Sequence, residues 1–331
     1  MKQNGRGERS APPDPAPDRF KVDDLDLALI ARLREEGRES NRSLADALGV
    51  NDATVAARLR RLEDDAIVRV VAVTDMAAFG HDLLAFGKVQ VSGRPVMEVG
   101  AELTDLEECI GVVVTTGRVD LVVSVLARDR AHLADLVGRV IPSVGGIDSI
   151  SWELALDVLQ YESEWAVLDA DRHPTEPWGA TDAVDELDVR IISLLQQDAR
   201  ASNRRVAAEL GVSEGTVRTR IRRMEEEQII RIQAISDVRA SGLGASAYVG
   251  VATEGGRTAE VAEAIVAEVS PNCVVRSLGD FDLFLVLSAP SREALVSIVL
   301  EQLAAIPGVR RTETIEHCGT LKHSYTWARI I

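Results

Sequence analysis

A chain of 331 residues is long for one hydrophobic core and ample for two or more domains. Its 46% hydrophobic and 27% charged residues are those of a globular protein, and no apolar run approaches the roughly 20 residues needed to cross a bilayer as a helix. The net charge of −16 excludes a surface coated all over with basic groups, but local clusters of Lys and Arg can still meet phosphates.

The first 19 residues, rich in Pro and charge, read as a disordered tail with no apolar core of a signal peptide. Beyond them one pattern runs through the chain twice. VDDLDLALIARL at Val22 returns as VDELDVRIISLL at Val184, and SNRSLADALGV at Ser40 as SNRRVAAELGV at Ser202. TVAARLRRLEDDAIVR at Thr54 returns as TVRTRIRRMEEEQIIR at Thr216. The same offset sets Gly117 and Asp120 on Gly279 and Asp282, and Trp165 on Trp327. The division follows from this duplication. Residues 20–73 and 182–235 form one kind of unit, and residues 74–168 and 236–331 another. A Pro-rich linker at 169–181 separates the copies.

In the first unit of copy one, Leu25, Leu29, Ile30 and Leu33 recur at helical spacing behind Asp23 and Asp24, which suit a helix N-terminus. Leu44, Ala45 and Leu48 mark a second short helix, with Asn41 as its expected cap and Gly49 as its stop. Asn51 opens a third, whose Val55, Leu59 and Leu62 face inward. Copy two repeats the pattern through Leu187, Ile191 and Leu195, then Val206 and Leu210, then Val217, Ile221 and Met224, with Ser213 as cap. Three short helices with a Gly turn before the third spell a helix-turn-helix, whose third helix enters the major groove. Candidate DNA contacts are Asn51, Thr54, Arg58, Arg60 and Arg61 in copy one. In copy two they are Ser213, Gly215, Thr216, Arg218, Thr219, Arg220, Arg222 and Arg223. A guanidinium matches guanine or phosphate in a planar fork. Because Ala56 and Ala57 stand where copy two has Arg218 and Thr219, copy two is expected to carry more of the base reading.

The second unit of each copy alternates short β-rich runs with helices in the order βαββαβ, a ferredoxin-like arrangement. Copy one reads LLAFGKVQV, a helix over Val96 to Leu103, CIGVVVTTG, DLVVSVLA, a helix around Leu136, and a last strand from Ile147 to Leu159. Strands such as LVVSVL are apolar on both faces. The sheet face not covered by helices is therefore expected to pack on another such sheet. The overall class is α+β: two copies of a winged-helix-like helix-turn-helix unit followed by a ferredoxin-like unit.

These residues resemble the Lrp/AsnC (feast/famine) family of prokaryotic regulators across both copies. The resemblance rests on LDLALI and LDVRII, on the NR…LGV segments at Asn41 and Asn203, and on RLRRLE and RIRRME. It extends to TGRVDLVV at Thr116 and LGDFDLFL at Leu278. The tandem form departs from the family's usual single copy. The resemblance implies double-stranded DNA as partner, a small-molecule effector of amino-acid type, cytoplasmic location and a homo-oligomer with an internal pseudo-dimer. It places the effector near the hairpins holding Gly117, Arg118 and Asp120, and Gly279, Asp280 and Asp282. Gly followed by Asp is also ordinary hairpin chemistry.

Two other readings stand beside it: a sirohaem decarboxylase-like enzyme, and a metabolite-sensing module without DNA binding. The five histidines are scattered, and the three cysteines lie far apart with no Cys-x-x-Cys spacing. No cofactor, metal site or catalytic residue is expected, and the cysteines fit a reducing compartment.

Overall fold

A computed structural model describes residues 21–168 and 179–330. The expected tail and nearly all of the expected linker lie outside these residues. In copy one, α1 (Asp24–Glu35), α2 (Asn41–Leu48) and α3 (Asp52–Asp64) form the three-helix unit. Copy two matches it with α6 (Glu186–Gln197), α7 (Asn203–Leu210) and α8 (Glu214–Glu226). The periodic apolar residues do what their spacing requires: Leu29, Leu33, Leu44, Val55 and Leu62 are buried, as are Ile191, Leu195, Val206, Val217 and Met224. Gly49 and Gly211 end α2 and α7 in the left-handed conformation, with φ of 67° and 70°. The cap of α2 is Ser40 rather than Asn41: the Ser40 hydroxyl accepts from the Ser43 amide, and Asn41 is already the first helical residue.

Each three-helix unit continues into a strand, β1 (Val68–Asp75) or β7 (Ile230–Asp237). The sensing unit of copy one follows with β2 (Leu83–Val91), α4 (Val96–Thr104), β3 (Cys109–Thr115) and β4 (Leu121–Ala127). After α5 (Arg130–Asp135) the helix widens into a π-turn, and β5 (Ile147–Tyr161) and the short β6 (Trp165–Ala166) complete the copy. Copy two repeats this as β8 (Ala245–Thr253), α9 (Thr258–Val269), β9 (Cys273–Leu278) and β10 (Leu283–Ala289). It ends with α10 (Arg292–Ser297), which again passes into a π-turn, then β11 (Val309–His323) and β12 (Trp327–Ala328).

The copies meet more intimately than face-to-face packing alone would give. The two sensing sheets join at both edges into a closed eight-stranded barrel. β5 and β11 make this possible because each has 15 residues, enough to serve two sheets. The first half of β5 pairs with β2 and its second half with β9; β11 pairs first with β8 and then with β3. Phe86, Tyr248 and Phe284 meet inside, with ring centroids 5.2–6.0 Å apart. Closure leaves no barrel edge open for another strand.

A second sheet, in the order β12-β1-β7-β6, joins the helix-turn-helix units. β1 and β7 are antiparallel neighbours, and each is flanked by the terminal strand of the other copy. Trp327 is buried there, edge-on to Phe79 at 5.3 Å. Two reciprocal arginines tie the helical units: Arg38 donates to the Ala201 carbonyl, and Arg200 to the Gly37 carbonyl and Asn41. Burial pushes both guanidinium groups below their ordinary values, with Glu225 near Arg38 and Glu63 near Arg200 opposing the shift.

Candidate DNA interface and effector hairpins

The third helix of each unit is fixed at its start by a side-chain cap. Asn51 Oδ1 accepts from the Thr54 amide at 2.8 Å and from the Thr54 hydroxyl. Ser213 Oγ accepts from the Thr216 amide at 3.0 Å and shares a hydrogen bond with the Thr216 hydroxyl. All four side chains thus have a structural occupation within α3 and α8.

The arginines divide into two classes. Arg58 pairs with Asp23 at 2.6 Å and with Asp26 at 3.0 Å, and Arg61 pairs with Asp26. In copy two Arg220 pairs with Asp185 and Asp188, and Arg223 with Asp188. Asp26 and Asp188 are buried and also complete the capping boxes of α1 and α6. Arg58 holds the Asp23 carboxyl down at about 2, and Arg220 lowers that of Asp185. These four arginines clamp the third helix to the start of the first. All four are among the candidate DNA contacts expected from the sequence, flanking the outward face. The signal for the clamp was present in the sequence as Asp-x-x-Asp and Arg-x-x-Arg, repeated at the same separation in both copies.

The second class points outward. Arg60, Arg218, Thr219 and Arg222 are exposed, whereas Gly215 is half-buried. Among the described residues Arg222 pairs with Glu226 one turn along, a surface pair of small worth. Among the described residues Arg60 and Arg218 form no ion pair. Arg42 and Arg204, at equivalent places on α2 and α7, are also exposed; they were not among the expected contacts. Copy two therefore presents Arg218, Thr219 and Arg222 where copy one presents Ala56, Ala57 and Arg60.

The two hairpins differ as much as the two helices. Asp120 and Asp282 occupy the same place in each. Their carboxylates accept from the Val91 and Thr253 amides, closing the end of β2 and of β8. Each Asp thus has one oxygen committed to its own hairpin. Around Gly279 the space is full: an added Cβ would lie 2.3 Å from Glu153 Oε2 and 2.4 Å from the Trp152 carbonyl oxygen. Glu153 is fully buried, and Lys88 beside it is nearly so. Lys88 Nζ lies 2.6 Å from Glu153 and 2.8 Å from Asp280, and the Asp280 amide donates to Glu153. Lys88 lowers the Asp280 carboxyl.

The hairpin of Gly117 is open. Its φ of 105° requires glycine, and nothing lies within 4 Å of the position a Cβ would take. Arg118 is 86% exposed and reaches Glu313 at 3.6 Å, while Arg311 approaches the same carboxylate. Glycine at 250 and isoleucine at 315 stand where the other side has Lys88 and Glu153, so no buried ion pair forms there.

Two three-helix units joined by a strand sheet, each serving a ferredoxin-like unit with an exposed hairpin, make this a helix-turn-helix DNA-binding transcriptional regulator with a ligand-binding module. The AsnC-type helix-turn-helix domain matches residues 22–63 and 184–225, and the Lrp/AsnC ligand binding domain matches residues 84–165 and 246–327. The chain belongs to the Lrp/AsnC family, in tandem-duplicated form. It is similar to the HTH-type transcriptional regulator FL11 of Pyrococcus abyssi, with 33% identity over 40% of this chain and 88% of that protein. An uncharacterized HTH-type transcriptional regulator of Pyrococcus furiosus is 34% identical over 40% of this chain and 89% of its own. Among solved structures, the siroheme decarboxylase NirDL aligns over 91% of this chain and 93% of its own. Its TM-score is 0.65 at 14% identity, which shows a shared fold. Among the described residues no helix is long and apolar enough to cross a membrane.

Proposed function

We propose that this regulator reads DNA asymmetrically and senses a zwitterionic metabolite of amino-acid type at one hairpin. In this reading residues 20–73 and 182–235 are the DNA-binding units, and residues 74–168 and 236–331 the sensing units. The observation that carries it is the contrast between α8 and α3: on one scaffold, only α8 offers Arg218 and Thr219 to a groove. Arg218 supplies the planar fork, Thr219 a methyl or hydroxyl contact, and Arg60 on α3 a phosphate contact. The clamped arginines act by holding each helix at a fixed angle.

The open hairpin suits a zwitterion because both signs meet there. Arg118 and Arg311 face a carboxylate, and Glu313 faces an ammonium group. At the other hairpin the ammonium of Lys88 already satisfies the carboxylates, so one effector per chain is the expected stoichiometry. The protein acts as a regulator rather than an enzyme, as a cytoplasmic homo-oligomer whose chains each contain a pseudo-dimer.

The test is a gel shift with duplexes from the protein's own upstream region, with salt varied. Affinity should fall steeply as salt rises, since phosphate contacts release counterions. A chain that ignores duplex DNA at low salt is a sensing module alone. A Soret band on the purified protein would instead favour the tetrapyrrole enzyme.

A further inference from the structure

The barrel is not filled. Between its two sheets lies a cavity of about 820 Å³, within the roughly 300–1,000 Å³ typical of small-molecule sites. It lies inside the barrel, apart from the hairpins considered above.

Its walls are flat and apolar on several sides: Phe86, Tyr161, Trp165 and Tyr248 line it. Its lining carries neutral polar groups beside charged ones. Ser124, Ser246 and Ser288 face it, the latter two hydrogen-bonded to each other at 3.0 Å. Two histidines of β11, His317 and His323, complete the lining. His317 lies 4.5 Å from the Tyr248 ring, and its Nε2 has no hydrogen-bond partner among the described residues. Surrounding protein holds both imidazoles near about 4, so they are neutral at physiological pH. His323 nevertheless keeps exposed surface; the cavity accounts for a residue that is enclosed by protein and still open to a small molecule. Three cations among the described residues line the cavity: Arg239 and Arg292 pair with Asp237 and Glu316 at 2.8 Å, and Lys322 Nζ donates to the Thr104 and Leu106 carbonyls at 2.9 Å. Each cation is thus engaged by protein groups, and Glu162 adds a carboxylate to the lining.

Copy one contributes Ser124 but lacks the other serines and the histidines at the matching positions. Ala155 and Tyr161 stand where copy two has His317 and His323, and Leu84 and Leu126 where it has Ser246 and Ser288. A space left over from imperfect packing would be apolar and dry. This one draws Ser246, Ser288 and both histidines from copy two and sets them against Phe86, Tyr161 and Trp165 of copy one.

We infer that the barrel cavity is a second ligand site, built for an uncharged, flat aromatic molecule bearing a hydroxyl or keto group that hydrogen-bonds to His317, His323 or the serine pair. The rings stack on its faces and the neutral imidazoles exchange hydrogen bonds with its polar edge. The inference stands apart from the DNA and hairpin assignments, which could fail without touching it.

Calorimetric titration of the full chain tests this with naphthol as the probe and naphthoate as its anionic counterpart. One naphthol per chain should bind saturably, with naphthoate about tenfold weaker or worse. Ser288→Trp, which fills the space, should weaken naphthol by about tenfold or more, and His317→Phe by a smaller factor. Should Ser288→Trp fail to fold, Ser246→Phe on the facing strand replaces it. Slower amide exchange along β8 and β11 in naphthol-bound wild type gives an independent readout. Absence of saturable binding, equal binding by a folded filled variant, or tighter binding of naphthoate would overturn the assignment.

Discussion

The two copies agree at the residues that clamp and cap the three-helix units and diverge on the exposed face of the third helix and beside the hairpins. Asp23, Asp26, Arg58 and Arg61 have their counterparts in Asp185, Asp188, Arg220 and Arg223, with the same pairings. Ser40 and Ser202 cap the second helices alike. By contrast, Arg218 faces solvent where copy one has Ala56, and a buried lysine–glutamate pair stands against a glycine and an isoleucine. Folding constrains the first set twice over, since each copy needs its clamp and caps. Function constrains the second set only in the chain as a whole, so one copy can lose a group that the other keeps.

The strongest break in that comparison is expected at Lys88. Removing its ammonium in Lys88→Ala leaves Glu153 buried and without its cation, which should cost about 3–5 kcal/mol in chemical denaturation. A paired Lys88→Met, Glu153→Met variant should recover most of that loss, since a buried ion pair is often worth little more than apolar packing. If the single variant melts like wild type, the two hairpins are not as different as their surroundings suggest.

The recognition helices come next. Arg218→Ala should weaken operator binding by about 1–3 kcal/mol and relax one base preference. Arg60→Ala should lower affinity evenly across sequences and reduce the salt slope by about one. The reverse ranking would make copy one the reader.

Acid should separate the copies differently. Folding holds His317 and His323 near about 4, below the ordinary 6.5 they regain on unfolding. The unfolded chain therefore binds more protons between these values. Stability is full above about pH 6.5 and falls as pH drops toward 4. Thermal melts across that window should show a decline that is reduced when both histidines are replaced by the Ala and Tyr of copy one. The smallest effect sharpens the likeness: Ser40→Ala and Ser202→Ala should each cost about 1 kcal/mol, equally, in urea melts.

The helices were legible because each writes its own start, stop and buried face within a dozen residues. The two Gly-x-x-Asp hairpins were legible as turns for the same local reason. What escaped the sequence depends on partners far along the chain. β1 and β7 pair with each other across 162 residues of chain at Val71 and Gln233, and no strand is expected at either from the sequence. Lys88, Glu153 and Asp280 belong to three separate segments, and no local pattern announces that a barrel brings them together. The clamp arginines flank the outward face of the third helix, and their pairing with the buried Asp26 and Asp188 joins segments about 35 residues apart, which helical spacing does not reveal.

The exchange of terminal strands has a consequence for how such a chain came to tolerate unequal halves. At the two edges of one sheet, β6 of the first copy pairs with β7 of the second, and β12 of the second with β1 of the first. Neither half is a complete grammatical unit alone, so a mixed pairing with another chain's half gains nothing over the pairing already at hand. A permanently mismatched couple of this sort suits a target without mirror symmetry, one that a pair of identical readers would have no means to address in a fixed direction.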